Sequence, residues 1–260
     1  MKAKTELLLY RLLWLADKPM RPTFRNLEQS FEGWAYHEGL LAQIGRLEAQ
    51  GLLESRRDPR TGERLHRLTE AGRLAAGGGR DPEARWATKW DRKWRLFLFD
   101  VPESERSSRR RLTRALEAAG CGCLQGSAWI SAHLPPSIEA ILAEDDADCS
   151  HLLLLLADSK GPQVDARMVA SAWDFDGINA LYRAVSAVLE RLPAVVSAGR
   201  KEEFEEWSAA EQGAWGAALR ADPLLPAELL PDGYLGRAVS RQRRAALAKA
   251  SRFAASIKKI

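Results

Sequence analysis

The sequence is poor in the residue types that build metal centres, disulfide frameworks and membrane spans. It has 260 residues and three cysteines, Cys121, Cys123 and Cys149. An odd number in a chain of this size argues against a disulfide framework and for a reducing compartment. Cys121-Gly122-Cys123 has no second pair at zinc spacing. The four histidines, His37, His66, His133 and His151, are scattered and form neither HxxxH nor HExxH. There is no GxxxxGK[ST], no GxGxxG after a strand and no GxSxG; Gly77-Gly78-Gly79, set between charged residues, reads as linker. The longest apolar run, Leu152 to Ala157, suits a buried strand and falls far short of the ~18–20 residues of a membrane span. The N-terminus lacks a signal-peptide core and a small-residue cleavage site, so the expected location is cytoplasmic, with no membrane partner. No metal or cofactor is expected.

What is present is a globular composition, 46% hydrophobic and 28% charged, enough for one large domain or two to three small ones. The formal net charge of +4 hides an uneven distribution. Residues 1–88 hold 15 basic and 12 acidic side chains, residues 89–158 hold 9 and 11, and residues 159–260 hold 15 and 12. From Arg237 to Ile260 there are eight basic residues and no acid. Such a tail is either a solvated helix or a surface for phosphates or another polyanion.

The first segment, residues 1–76, begins with an apolar stripe at helical spacing through Leu7, Leu8, Leu12 and Leu15, ended at Asp17-Lys18-Pro19. Pro22-Thr23 opens a second helix with Phe24, Leu27 and Phe31 on one face. A third helix, about 35–50, points Leu40, Ile44 and Leu47 inward, with His37 on the same side; Gly51 fits its C′ position. Leu52–Arg57 and Glu63–Leu68, joined through Asp58-Pro59-Arg60-Thr61-Gly62, read as a hairpin. Thr69 then N-caps a further helix. Three helices followed by a hairpin is the order of a winged helix-turn-helix domain. The hairpin would be the wing, and Arg56, Arg57, Arg60, Arg64 and Arg67 would hold phosphates or the minor groove. On the third helix, small residues flank Gln43 and Arg46, side chains that can read adenine and guanine edges. A winged helix that binds protein is the other reading of this segment.

After a linker at 77–89, residues 90–160 predict a ferredoxin-like β-α-β-β-α-β domain. Its first strand places Trp94, Leu96 and Leu98 on one face and Phe97 and Phe99 on the other. A helix over 103–119 turns Leu112, Ala115, Leu116 and Ala119 inward and leaves Arg109, Arg110, Arg111 and Arg114 around its rim. Two short strands break at Gly126, a helix opens at Pro136, and His151–Ala157 forms the last strand. Residues 161–260 predict a mainly helical domain, with aromatics in its core and an extended connector at Asp222-Pro223-Leu224-Leu225-Pro226. The fold class is α+β.

Three blocks in this order resemble the PaaX family of bacterial transcriptional repressors. They are Arg64-Leu65-His66-Arg67-Leu68-Thr69-Glu70-Ala71-Gly72; Val101-Pro102-Glu103 with Gly122-Cys123-Leu124-Gln125-Gly126-Ser127-Ala128-Trp129-Ile130-Ser131; and Ala172-Trp173-Asp174-Phe175 with Asp222-Pro223-Leu224-Leu225-Pro226. Gly233-Tyr234-Leu235-Gly236 departs from the tryptophan usual in the family. The resemblance implies a cytoplasmic, homodimeric repressor of double-stranded DNA, not an enzyme, released by an acyl-coenzyme A thioester. The central domain would carry dimerisation, and the C-terminal domain effector or dimer contacts. The central domain also resembles the small ferredoxin-like subunit of the CRISPR adaptation complex, through Phe99-Asp100-Val101-Pro102 and Gln125-Gly126-Ser127. That resemblance implies the alternative, a metal-dependent nuclease using Asp100; one carboxylate per chain would need a second copy to complete a metal site. The bland reading of Asp100 is a strand-end cap.

Overall fold

The computed structural model describes residues 41–57, 59, 64–76, 80–100, 106–143 and 152–257. The two helices expected before residue 35 lie outside them. The first described elements are helix α1 (Leu41–Ala49), strands β1 (Leu53–Arg57) and β2 (Arg64–Leu68), and helices α2 (Glu70–Ala76) and α3 (Pro82–Ala87). Next come β3 (Lys93–Phe99), α4 (Arg106–Ala118), β4 (Gly122–Gln125), β5 (Ala128–Ser131), α5 (Pro136–Ala143) and β6 (Leu152–Asp158). Helices α6 (Pro162–Ala172), α7 (Phe175–Glu190), α8 (Leu192–Ala198), α9 (Lys201–Ala221) and α10 (Gly236–Ile257) follow, with a short 3₁₀ turn at Ala227–Leu229 before α10.

Helix α1 buries Ile44 and Leu47 and stops where the sequence predicts. Gly51, at φ 68°, donates its N–H to Glu48 O, and Leu52 N–H reaches back to Leu47 O; this pair of bonds satisfies the last carbonyls of the helix. Strands β1 and β2 are antiparallel, with Leu53 opposite Leu68 and Arg57 opposite Arg64. Thr69 Oγ1 accepts from Gly72 N–H at 3.0 Å, the expected N-cap. Gly72 has a second role: a Cβ there would collide with the Leu52 carbonyl, so α2 can pack against the hairpin base only without a side chain.

The central sheet has the order β4-β5-β3-β6, all neighbours antiparallel. That is the ferredoxin-like arrangement. One face, with Phe97, Phe99, Trp129 and Leu152, is closed by Leu112 and Leu116 of α4 and Ile138 of α5. A fully buried leucine there stabilises by ~1.5–3 kcal/mol. The other face, with Trp94 and Ile130, packs against Val169 of α6 and against Leu225 and Leu229. Gly122 has no room for a Cβ because Ala172 and Trp173 sit directly on β4. Trp94 Nε1 donates to Asp165 Oδ1 at 2.7 Å, and Trp173 Nε1 to Gly120 O at 3.2 Å.

These contacts redraw the expected division of the chain. One compact unit joins the described residues up to Asp81 with 184–216 and the described residues from Ala238 onward; the other joins 82–183 with 217–237. The stretch 161–260 is therefore not a separate domain, because α6 and the connector bury their apolar residues on the central sheet. Nor is 77–89 wholly linker. Pro82 starts α3, whose Trp86 is buried and meets Tyr234 edge-on at 5.9 Å. The charge and glycine of that stretch hide a tryptophan that packs.

The extended connector is held by side-chain hydrogen bonds. Asp222, fully buried, accepts from Tyr182 Oη at 2.6 Å, from Leu224 N–H at 2.8 Å and from Tyr234 Oη. Burial, with the Asp222 carboxylate alongside, pushes the Tyr234 hydroxyl far above the usual phenol range, so Tyr234 remains a donor. In the other unit, Trp207 is fully buried and donates to Val188 O at 2.8 Å.

Candidate nucleic-acid interface

The pieces of the proposed reading head that the structure describes are α1, the β1–β2 hairpin and α2. Arg46 is exposed on the last turn of α1. Gln43 is half-buried, and its Oε1 is buried without a hydrogen-bond partner. Of the two expected base readers, only Arg46 therefore stands fully at the surface. Arg56, Arg57 and Arg67 are exposed on the hairpin. Arg64 belongs to β2, but its side chain lies outside the described residues, and Arg60 lies outside them altogether.

The register concentrates charge. Arg57 and Arg64 are direct cross-strand partners at the loop end of the hairpin. Like charges in that position destabilise a two-stranded ribbon. Arg67 has Glu54 at 3.8 Å as a counterweight, but both side chains are more than half exposed, so the pair contributes little. Exposed arginines on a two-stranded ribbon suit an outside polyanion.

A polar relay, not anticipated from sequence, ties the hairpin to α1. Ser55 Oγ donates to Glu48 Oε1 and lies 2.7 Å from His66 Nδ1. Serine has one hydroxyl hydrogen, so the His66 Nδ1–H must be the donor in the second bond. The His66 side chain is only 5% exposed. The relay fixes the angle between the hairpin and the helix that carries Arg46. The signal was legible only as a histidine and a serine eleven residues apart, which become cross-strand partners once the register is known.

A second basic surface lies in the other unit. Arg106, Arg109, Arg110, Arg111 and Arg114 of α4 are all exposed. At about 100° per residue Arg106, Arg110, Arg111 and Arg114 turn away from Leu112 and Leu116, while Arg109 falls at the edge of the buried face. Glu117 is the one acid in the helix. Arg109 Nη2 donates to Ser127 Oγ at 3.3 Å, across to the β4–β5 turn.

Asp100 is exposed just beyond β3. Among the described residues, no three His, Cys, Asp or Glu side chains gather closely enough to hold a metal ion. No described helix is long and apolar enough to cross a membrane.

Residues 87–169 match the PaaX protein central Cas2-like domain. The chain carries a PaaX central domain. The match spans the whole four-stranded sheet and most of α6. PaaX proteins are transcriptional regulators, and regulation of transcription is the function implied at family level. Along nearly its full length, the chain is also similar to a solved structure, the uncharacterised protein Rv0674 from Mycobacterium tuberculosis. The TM-score is 0.56 and the identity 19%, over 98% of this chain and 100% of that one; at this identity the likeness speaks for the fold alone. No curated protein matches the chain.

Proposed function

We propose that the protein is a homodimeric, DNA-binding transcriptional repressor whose winged helix-turn-helix segments read a palindromic operator and whose release is controlled by a small-molecule effector. The observation that carries this reading is the arginine-bearing hairpin fixed to α1, on a chain with a PaaX central domain. Arg56, Arg57, Arg60, Arg64 and Arg67 hold phosphates or the minor groove, and Arg46, with Gln43 behind it, reads bases. Half-site centres lie about one helical turn, or a multiple, apart. Dimerisation is assigned to the central domain. Leu153, Leu155 and Leu156 of the terminal strand β6 are 61%, 48% and 62% exposed, which supports that assignment. An acyl-coenzyme A thioester is the effector suggested by the family resemblance.

The test is selection of bound fragments from a random DNA pool, followed by binding of the selected site across a salt series. Arg56→Ala should weaken binding to all sequences and flatten the salt dependence, by about one unit of slope if it holds one phosphate. Arg46→Ala should relax base preference instead. If both variants bind the selected operator as the parent does, the interface is wrongly placed. The Cas2-like character of the central domain keeps a nuclease reading on the table. Incubation with DNA and RNA in magnesium decides it, since cutting that disappears in Asp100→Asn would replace the repressor reading.

A further inference from the structure

Beside the central sheet, wholly within the unit formed by 82–183 and 217–237, lies an open cleft of about 690 Å³. Its size is that of a small-molecule site. Five carboxylates line it, Asp158, Asp165, Asp174, Asp176 and Glu228, against one basic side chain, Arg92. This inverts the charge balance of the chain as a whole, which is +4.

The acids differ in what holds them. Asp174 Oδ1 accepts the Gly177 N–H at 2.9 Å and so caps α7. Asp158, Asp176 and Glu228 are exposed. Asp165 is 8% exposed, and its Oδ1 accepts the Trp94 indole N–H. Its second oxygen has no hydrogen-bond partner among the described residues, and the side chain opens on the cleft. That oxygen is the accessible one, open to water or to a donor that enters the cleft.

The walls are aromatic and fixed. Trp90 Nε1 donates to Lys93 O at 3.2 Å, and Trp173 Nε1 is bonded to Gly120 O. Phe175 meets Tyr234 edge-on at 5.9 Å. Rigid ring faces beside carboxylates attract a cation through both the ring quadrupole and direct charge. The acids are spread around the cleft and do not converge on a point, which suits an organic cation better than a metal ion. A ligand with several phosphates would face five like charges with a single arginine to answer them. A coenzyme A thioester therefore has to act elsewhere on the protein.

We propose that this cleft binds a small organic cation, an ammonium or guanidinium group carried on an apolar or aromatic body, with Asp165 as its buried anchor. The proposal stands apart from the DNA reading, because its test measures binding to the free protein. The full-length chain is titrated with phenethylamine, phenyltrimethylammonium and phenylacetate, followed by calorimetry and tryptophan fluorescence. The two cations should bind saturably, perturb the tryptophan emission and weaken with added salt, while the carboxylate should not bind. Asp176→Asn combined with Glu228→Gln, two exposed positions, should weaken cation binding by roughly fivefold for each charge removed, with the melting temperature unchanged. Equal binding of amine and carboxylate, no saturable binding of either cation, or full affinity in the folded double variant would overturn the proposal.

Discussion

Arg243 in the basic C-terminal helix offers a severe test of how this fold handles charge. Its Nε donates to Glu211 Oε1 at 2.5 Å, its Nη2 lies 3.5 Å from Oε2, and its guanidinium sits 4.5 Å over the Trp215 ring. Glu211 is fully buried and the Arg243 side chain is 12% exposed. Burial pushes the Glu211 carboxyl above its ordinary value of 4.5; Arg243 pulls it back, but only in part. Arg243→Met keeps much of the stem and removes the countercharge. Breaking a buried pair in this way costs about 3–5 kcal/mol. A loss of about 3 kcal/mol lowers Tm by roughly 6–12 °C in a chain of this size. The deficit should also depend on pH. An acid whose folded pKa is raised holds its proton more tightly in the folded state, so its contribution favours folding at low pH and is lost as pH rises through the window above 4.5. Removing Arg243 widens that window upward. The deficit should be large at about pH 8, shrink toward about pH 5, and nearly vanish in the double variant with Glu211→Gln. Melting curves of the four proteins across that range are the assay. A fall in Tm under ~2 °C, or a deficit that is constant with pH, would refute the reasoning.

Three further outcomes follow from the same kind of geometry. Ser55→Ala should cost about 1 kcal/mol in denaturant unfolding and lower operator affinity with all arginines in place, because the Glu48–Ser55–His66 relay is cut. Trp94→Phe removes the donor to Asp165 and the fused five-membered ring of a fully buried side chain; a loss above the ~1–3 kcal/mol of the hydrogen bond alone is expected by chemical denaturation, and no loss would mean that neither the bond at 2.7 Å nor the packing carries weight. Leu153→Lys with Leu156→Lys should turn the proposed dimer into a folded monomer in sedimentation velocity, since both positions are more than 60% exposed in the single chain; a parent protein that sediments as a monomer would remove the dimer.

Much of the central domain was legible because its signals are local. Alternation in Lys93–Phe99 separates Trp94 from Phe97 and Phe99, and the two faces turn out to carry different packing layers. The 3.6-residue period of α4 likewise fixes Leu112 and Leu116 inward. What stayed hidden depends on contacts between distant parts of the chain. Asp165 gives no hint in sequence that Trp94, 71 residues earlier, supplies its hydrogen bond. Asp222 reads as the start of a proline-bounded loop, whereas its partners Tyr182 and Tyr234 come from 40 residues before and 12 after. The arginines of the hairpin were visible as a cluster. The inward turn of the Gln43 amide oxygen was not, because helical spacing left that residue at the border of two faces.

The state of β6 bears on how two copies would meet. Among the described residues it is a terminal strand of its sheet, so one row of its backbone groups has no strand neighbour there. Natural edges are protected by charge, proline, a bulge or an overlying element. The strand Leu152–Asp158 reads Leu-Leu-Leu-Leu-Leu-Ala-Asp, with no proline and no charge before its last residue. Its pairing with β3 is continuous from Lys93–Asp158 to Phe99–Leu152, without a bulge. Helix α6 and the connector pack at the Trp94 end of the second face and leave Leu153 and Leu155 in the open. Leu156, on the opposite face, is open too. An unprotected apolar edge is costly unless something covers it, and a second β6 related by a two-fold axis would run antiparallel to the first, supplying both the missing backbone partners and the missing apolar contact. This strand thus supports the proposed dimer on grounds separate from the family resemblance.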